Sequence, residues 1–330
     1  MRGMDYLVKR TGFALVTIFV AVTLNFVLFR AVPGSAISAA RCLHCTKQFK
    51  AALERDLGLD HSKWVQYKLY LEDLAHGDLG KSYTDERPVW DDLKTPIMNT
   101  LPMLVAGTVI SILIGTIAGV IAAWRRGTLV DRVNVWTSLA FYAAPTQWLG
   151  LLVIFYVATQ VGLPVAGIRS NTIGIDPVTG QLVNPDLWTV IVDRTRHLIL
   201  PALTLGLGLY GEYALIVRSS MLETLGEDYV LTARAKGLKN WAIVWKHGLR
   251  NAMLPLVTLI ALSFGYILAG AIVIEDVFSY PGIGLATIDA IDRRDYPVLQ
   301  GAFLLLTLSV IFFNYVADLL YFKLDPRVTA

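Results

Sequence analysis

Six windows of apolar residues punctuate the chain: Phe13–Val32, Leu101–Trp124, Val133–Ala158, Leu198–Val217, Met253–Ile274 and Val298–Phe322. Each carries little or no charge, and each is close to the roughly 20 residues of helix that cross a bilayer's hydrocarbon. No water reaches a free N–H or C=O in that layer, so such segments close their hydrogen bonds internally as helices. The two-residue alternation of a membrane barrel is absent. The pattern predicts an all-α integral membrane protein with six transmembrane helices.

The polar stretches between the windows complete the organisation. Residues 33–96 are mostly polar, with apolar positions at helical spacing over Phe49–Leu57 and Trp64–Leu74, interrupted by Gly58 and Gly77. This segment reads as a helical cap over an access path rather than an independent domain. A second stretch, Val161 to His197, is rich in Gly, Pro and Asn and reads as ordered loop. The expected division is residues 1–98, the first helix with its cap; residues 99–322, a five-helix core with a connecting loop at 218–252; and residues 323–330, a tail. The composition agrees: 55% of the 330 residues are hydrophobic and 17% charged, where soluble chains average about 45–50% and about 25%. A net charge of +3 gives no reason to expect a nucleic-acid partner.

Where the charges sit matters more than their sum. Arg2, Lys9 and Arg10 precede the first window; Arg125, Arg126 and Arg132 follow the second. Arg218, Arg234, Lys236, Lys239, Lys246 and Arg250 follow the fourth, and Lys323 and Arg327 follow the sixth. Lys and Arg are retained on the cytoplasmic side, so these four segments and both termini are expected inside. The first window has the basic start of a signal peptide, and Ala36–Ala40 offers a weak cleavage site. Its length and its Arg30 favour a retained span.

Gly107, Ser111, Gly115, Gly119 and Ala123 recur every four residues along the second window, a stripe on which a neighbouring helix can approach closely. Gly206, Gly208 and Gly211 after Pro201, and Gly265 and Gly270 after Pro255, point to further tight or bendable segments. Polar residues within the windows are few: Asn25, Gln147, Glu212, Asn314 and Asp318. Ionisable groups at such depth are functional or paired; Arg218 and Lys323 are the nearby partners for Glu212 and Asp318. Cys42 and Cys45 flank His44, and the pair can be a disulfide, two unused thiols or part of a metal site with His61. On the outer side a plain disulfide or two unused thiols is the simplest reading, and no metal is expected.

Ala75-His-Gly-Asp-Leu-Gly-Lys-Ser82 imitates a phosphate-binding loop with Ala in place of its first Gly. A working loop follows a strand and opens a helix. This one follows a helical pattern, holds Asp78 and lies outside, so nucleotide binding is not expected. The stretch Glu227-Asp-Tyr-Val-Leu-Thr-Ala-Arg-Ala-Lys-Gly237 differs: it predicts two short amphipathic helices joined at Gly237, followed by Pro255 opening the fifth span. Ala233 and Ala235 offer a flat face for a partner, with Arg234, Lys236 and Lys239 to fix register. An interfacial helix held by headgroups is the physical alternative.

This stretch resembles the coupling loop of binding-protein-dependent ABC importers, in which an Ala and a Gly four residues on are followed by a Pro; Ala233, Gly237 and Pro255 match. Leu231 stands where the family's naming Glu would be, as in the dipeptide/oligopeptide/nickel branch. His197–Gly206, Glu275–Gly284, Arg294–Gly301 and Asp325-Pro-Arg327 resemble the same branch, and the first span with Gly77–Gly80 resembles its B-type subunit. The resemblance implies a type I importer permease fold with an extracytoplasmic helical insertion in a bacterial inner membrane. It implies a homologous C-type permease, two ATP-binding subunits that hold ATP and Mg, and an extracytoplasmic peptide-binding protein. No cofactor is expected on this chain and no catalytic residue. Di- and oligopeptides are the implied cargo; nickel chelates, glutathione or another small solute are the alternative, and a secondary transporter is disfavoured. Asp228, Tyr229, Thr232, Ala233, Arg234, Ala235, Lys236, Gly237, Leu238 and Pro255 are the expected ATPase-coupling residues. Gly237→Asp and Ala233→Glu are both expected to abolish uptake by an otherwise intact system while the chain stays folded.

Overall fold

The computed structural model describes residues 2–31, 61–170 and 185–324, and among them the regular structure is helical. The helices are α1 (Arg2–Ala31), α2 (Lys63–Ala75), α3 (Val89–Trp124), α4 (Leu129–Ala143), α5 (Thr146–Val161), α6 (Leu187–Leu225), α7 (Asp228–Ala235), α8 (Leu249–Val277), α9 (Ile283–Arg293) and α10 (Tyr296–Leu324). Four of them, α1, α3, α6 and α10, are long and apolar enough to cross a membrane, and the bent pair α4–α5 adds a fifth if it is one span. The 29-residue α8 is also strongly apolar in sequence.

The long helices share two ends. Asn25 donates to the Gln300 carbonyl (3.4 Å) and Arg10 pairs with Asp318 (2.6 Å), so α1 and α10 run antiparallel. At one end, called here the hairpin end, the turn from Gly77 to Val89 packs beside α9. At the other, the loop end, lie α7 and the first residues of α1.

The longest run of close packing joins α3 to α6. A Cβ on Gly107 would come within 2.6 Å of Leu205 Cδ2, one on Gly115 within 2.7 Å of Tyr213 Cβ, and one on Gly119 within 2.6 Å of the Ala214 carbonyl. Gly206 answers from α6, where a Cβ would meet Ile110 Cγ2 at 2.7 Å. Numbers rise together on both helices, so α3 and α6 run parallel with backbones nearly touching. Ser111 within the stripe is buried and returns its hydroxyl to the Thr108 carbonyl (2.8 Å). The predicted stripe is therefore a packing seam.

The window Val133–Ala158 is not one continuous helix. Pro145 has no N–H to give and pushes the preceding Ala144 into an extended conformation (ψ 133°), ending α4 at Ala143. The chain turns through 107° before α5. Asp131 at the start of α4 binds Arg218 of α6 through two bonds (2.6 and 2.9 Å), and the Gly162 carbonyl just past α5 accepts from Arg196 (3.2 Å). Positions 196 and 218 lie about 33 Å apart along α6 at 1.5 Å per residue. The bent pair thus travels the depth of the bundle instead of returning to the end it left.

Three further expectations need correction. Residues 187–197, read as loop, form the first turns of α6, because Asp186 and the apolar Leu187, Trp188, Ile191 and Val192 give them a helical start and stripe. Pro255 lies inside α8 rather than opening it; a π turn at Ile243–Gly248 carries the chain helically into α8. The expected ion pairs are re-sorted: Asp318 binds Arg10 of α1, and Arg218 is taken by Asp131. Residues 32–60, including Cys42, His44, Cys45 and the helix expected at Phe49–Leu57, lie outside the described residues, as do 171–184 and 325–330.

α2, from the segment expected to form a cap, lies on α1 through Tyr67 and Tyr70, whose rings stand 5.2 and 5.5 Å from Phe26, with Thr23 bonded to the Tyr67 hydroxyl (2.7 Å). Overpacking a close-packed interface costs about 1–3 kcal/mol. Gly115→Val is therefore expected to lower the unfolding temperature in detergent well below that of Gly12→Val, where a Cβ meets nothing within 4 Å.

Candidate functional site

At the loop end α6 stops at Leu225, and α7 follows within three residues. The turn after α7 closes as a helix C-terminus does: Gly237 adopts φ +72°, its N–H bonds the Arg234 carbonyl (2.9 Å), and Leu238 N–H bonds the Ala233 carbonyl (3.3 Å). A left-handed residue in that place favours Gly. Nothing lies within 4 Å of a Cβ built there, so this glycine answers to its backbone angle and not to a neighbour.

Only one face of α7 is anchored. Val230 and Ala233 are buried with Ile243 of the π turn, against Leu225. Ala233 is thus not part of an outer face, contrary to expectation: three residues after Val230, it falls on the same inward side of the helix. Asp228, Tyr229, Thr232, Arg234, Ala235, Lys236, Gly237 and Leu238 are exposed as expected. The Asn251 amide donates to the Tyr229 hydroxyl (2.8 Å), bringing α7 to the first turn of α8, one turn before the exposed Pro255.

Sequence reasoning named Tyr229 and Leu238 but missed the rest of the apolar part of this surface. Leu231 is 67% exposed and Trp241 73%, with Leu238, Tyr229 and Trp245 also open. Large apolar groups grouped among Arg and Lys mark a contact surface. Leu231 had been read only as a departure from a family pattern; its signal was an apolar side chain two residues before Ala233, on the other side of a short helix.

The phosphate-loop imitation lies at the hairpin end, and its donors are already used. Gly80 N–H bonds Asp78 (2.8 Å). Tyr83 and Thr84 N–H bond the Asp295 carboxylate (3.1 and 3.2 Å), which also accepts from the Ser82 hydroxyl. An internal carboxylate thus occupies the place a phosphate would take, and locks the hairpin to the junction of α9 and α10. A second buried carboxylate works nearby. Glu275, at the end of α8, accepts from the Thr100 hydroxyl (2.6 Å) and from Gly284 and Leu285 N–H (2.7 and 3.0 Å) at the start of α9. Gly282 and Gly284 leave the room it needs. The Glu275–Gly284 stretch is therefore a helix cap built across a turn, which no local pattern announces.

Of the polar residues in the windows, Asn25 is bonded within the α1–α2–α10 contact, Gln147 is exposed, and Asp318 is paired. Among the described residues no groups of His, Cys, Asp and Glu form a metal cluster.

Comparison with known proteins adds to this geometry. The family described as binding-protein-dependent transport system inner membrane component matches residues 115–330, and the N-terminal family of such membrane components matches residues 3–106. The chain is 38% identical over 334 aligned positions to a dipeptide transport system permease protein, DppB, of Escherichia coli strain K12, covering 98% of each. It is 40% identical over 331 positions to a di/tripeptide transport system permease protein, DppB, of Pseudomonas aeruginosa strain UCBPP-PA14, again covering 98% of each. It is 34% identical over 326 positions to a glutathione transport system permease protein, GsiC, of Escherichia coli strain K12, covering 98% of this chain and 99% of the relative.

The burial of Ala233 changes one expectation. Ala233→Glu places a charge among Val230, Ile243 and Leu225, and an unpaired buried charge is strongly unfavourable. Trypsin is expected to cut at Arg234, Lys236 and Lys239 faster in Ala233→Glu, and at the unsubstituted rate in Ala235→Glu, when cleavage is followed by mass spectrometry.

Proposed function

The chain belongs to the inner-membrane components of binding-protein-dependent transport systems, and from that premise we propose that it is one of two permeases in an ATP-driven importer of di- and oligopeptides. The family is a transport component of the ABC importers and not an enzyme, and it works with a further permease, ATPases and a substrate-binding protein. The finer composition is our reading: a shorter C-type permease, two ATP-binding subunits that hold ATP and Mg, and an extracytoplasmic peptide-binding protein. The observation that carries the cargo is the near-complete overlap with two permeases named for dipeptide and di/tripeptide transport. Glutathione and nickel chelates stand second.

In this reading α1, α3, the bent pair α4–α5, α6, α8 and α10 are six spans with both termini in the cytoplasm. The Lys and Arg of the loop end support that side, and the hairpin end then meets the binding protein. The ATPases grip α7 and its turn through Leu231, Leu238 and Trp241, with Arg234 and Lys236 setting register. Closure of the ATPase pair moves α7; Val230, Ala233 and Ile243 pass the movement to α6 and, through the π turn whose Gly248 lies close to Met221 of α6, to α8. A ligand shifts such an equilibrium only by its difference in affinity for the two states, so the grip has to persist through the cycle.

The test is reconstitution of this chain with its partners in proteoliposomes and measurement of ATP-dependent accumulation of a labelled dipeptide. Leu231→Asp with Trp241→Ala is expected to abolish accumulation while the chain remains folded in the membrane. Accumulation at the unsubstituted rate would overturn the docking surface, and accumulation of glutathione or a nickel chelate without dipeptide would favour the second reading.

A further inference from the structure

Glu212 is left over by everything above. It lies about two-thirds of the way along α6 toward the loop end, and no described side chain gives its carboxylate a hydrogen bond or an ion pair. Its expected partner Arg218 is held by Asp131, and the hydroxyl of the nearby Tyr210 is bonded to Thr137 (2.9 Å). The surroundings of α6 say where Glu212 looks. α3 covers the side carrying Gly206, Tyr213 and Ala214, α4 the side carrying Gly211 and Arg218, and the π turn and α8 the side carrying Met221. α5 reaches α6 only higher up, beside Thr204 and Gly208, because the bend at Pro145 carries it there.

The remaining stripe follows the helical repeat through Pro201, Leu205, Gly208, Glu212, Leu215, Ile216, Ser219 and Glu223. Pro201 and Leu205 are buried, Gly208 to Ile216 half-buried, and Ser219 and Glu223 exposed. It is closed toward the hairpin end and opens progressively toward the loop end. It also becomes more polar as it opens. A carboxylate in contact with lipid hydrocarbon is unfavourable, and intramembrane acids face water, a partner charge or a passing solute.

We propose that Glu212 lines the inward-opening part of the translocation path and binds the primary ammonium at the amino terminus of the peptide cargo. This rests on the peptide-importer reading. Every unmodified peptide carries that cation, and a carboxylate without an internal counter-charge is the group that holds it by a charge-assisted hydrogen bond. The bond is temporary, since Ser219, Glu223 and water take over as the stripe opens.

The experiment uses the full complex in inverted membrane vesicles, with Cys42 and Cys45 replaced by Ser. Glu212→Cys is expected to react with the impermeant cation methanethiosulfonate ethyltrimethylammonium at least about tenfold faster than Val16→Cys, which lies on the exposed apolar face of α1. Saturating dipeptide is expected to slow that reaction. The isosteric Glu212→Gln is expected to lower dipeptide uptake per ATP hydrolysed about tenfold, and Glu212→Asp to restore part of it, as loss of a charge-assisted bond predicts. An unreactive Cys at 212, as cover by the partner permease would give, overturns the proposal, and so does unsubstituted uptake by Glu212→Gln. Failure of the unsubstituted complex to take up dipeptide would instead strike the peptide reading itself.

Discussion

The near-contact of the α3 and α6 backbones is the constraint on which the bundle depends. In a bilayer the lipid tails are as apolar as the side chains, so helices gain by close packing and not by leaving water. Gly107, Gly115, Gly119 and Gly206 make that packing possible. With α3 fixed along it, α6 presents its other sides to α4, α5 and α8. Asp131 and Arg218 then tie the turn after α3 back onto α6, since the same carboxylate also accepts from Gly127 N–H (2.9 Å). Toward the loop end, a stripe of α6 left open among the described residues carries Glu212.

The two ends of the bundle are fastened differently. At the hairpin end Asp295 and Glu275 accept seven backbone and hydroxyl hydrogen bonds that join the hairpin, α3, α9 and α10. At the loop end the fastening is lighter. α7 is held by Val230, Ala233 and one side-chain bond from Asn251, and its outward side is free for a partner. The force-transmitting role proposed for α7 needs such an arrangement: anchored firmly enough to pull, and open enough to be gripped.

Much of this could be read from the chain. Four long helices, the small-residue seam and the helix-ending turn at Gly237 each follow from local pattern, because lipid leaves the backbone few alternatives. What escaped depended on partners distant in sequence. The bend at Pro145 had a local signal, an Ala-Pro step inside an apolar window, that hydropathy alone overrides. The partner of Asp318 is Arg10, separated by most of the chain, and nothing local selects it over Lys323. The inward side of Ala233 is set by Ile243 on the next turn, and the capping role of Glu275 requires the α8–α9 turn to exist first. Pattern gave the long apolar helices; the third dimension decided which polar groups are spent on structure and which remain.

The most direct check of the central claim is a cross-link. In the assembled complex, with Cys42 and Cys45 replaced by Ser, a Cys at Leu231 bearing a short photoactivatable cross-linker should capture an ATP-binding subunit. The same probe at Tyr83 on the hairpin should not. Capture of an ATP-binding subunit from Tyr83 and not from Leu231 would contradict both the grip on α7 and the assigned orientation of the chain.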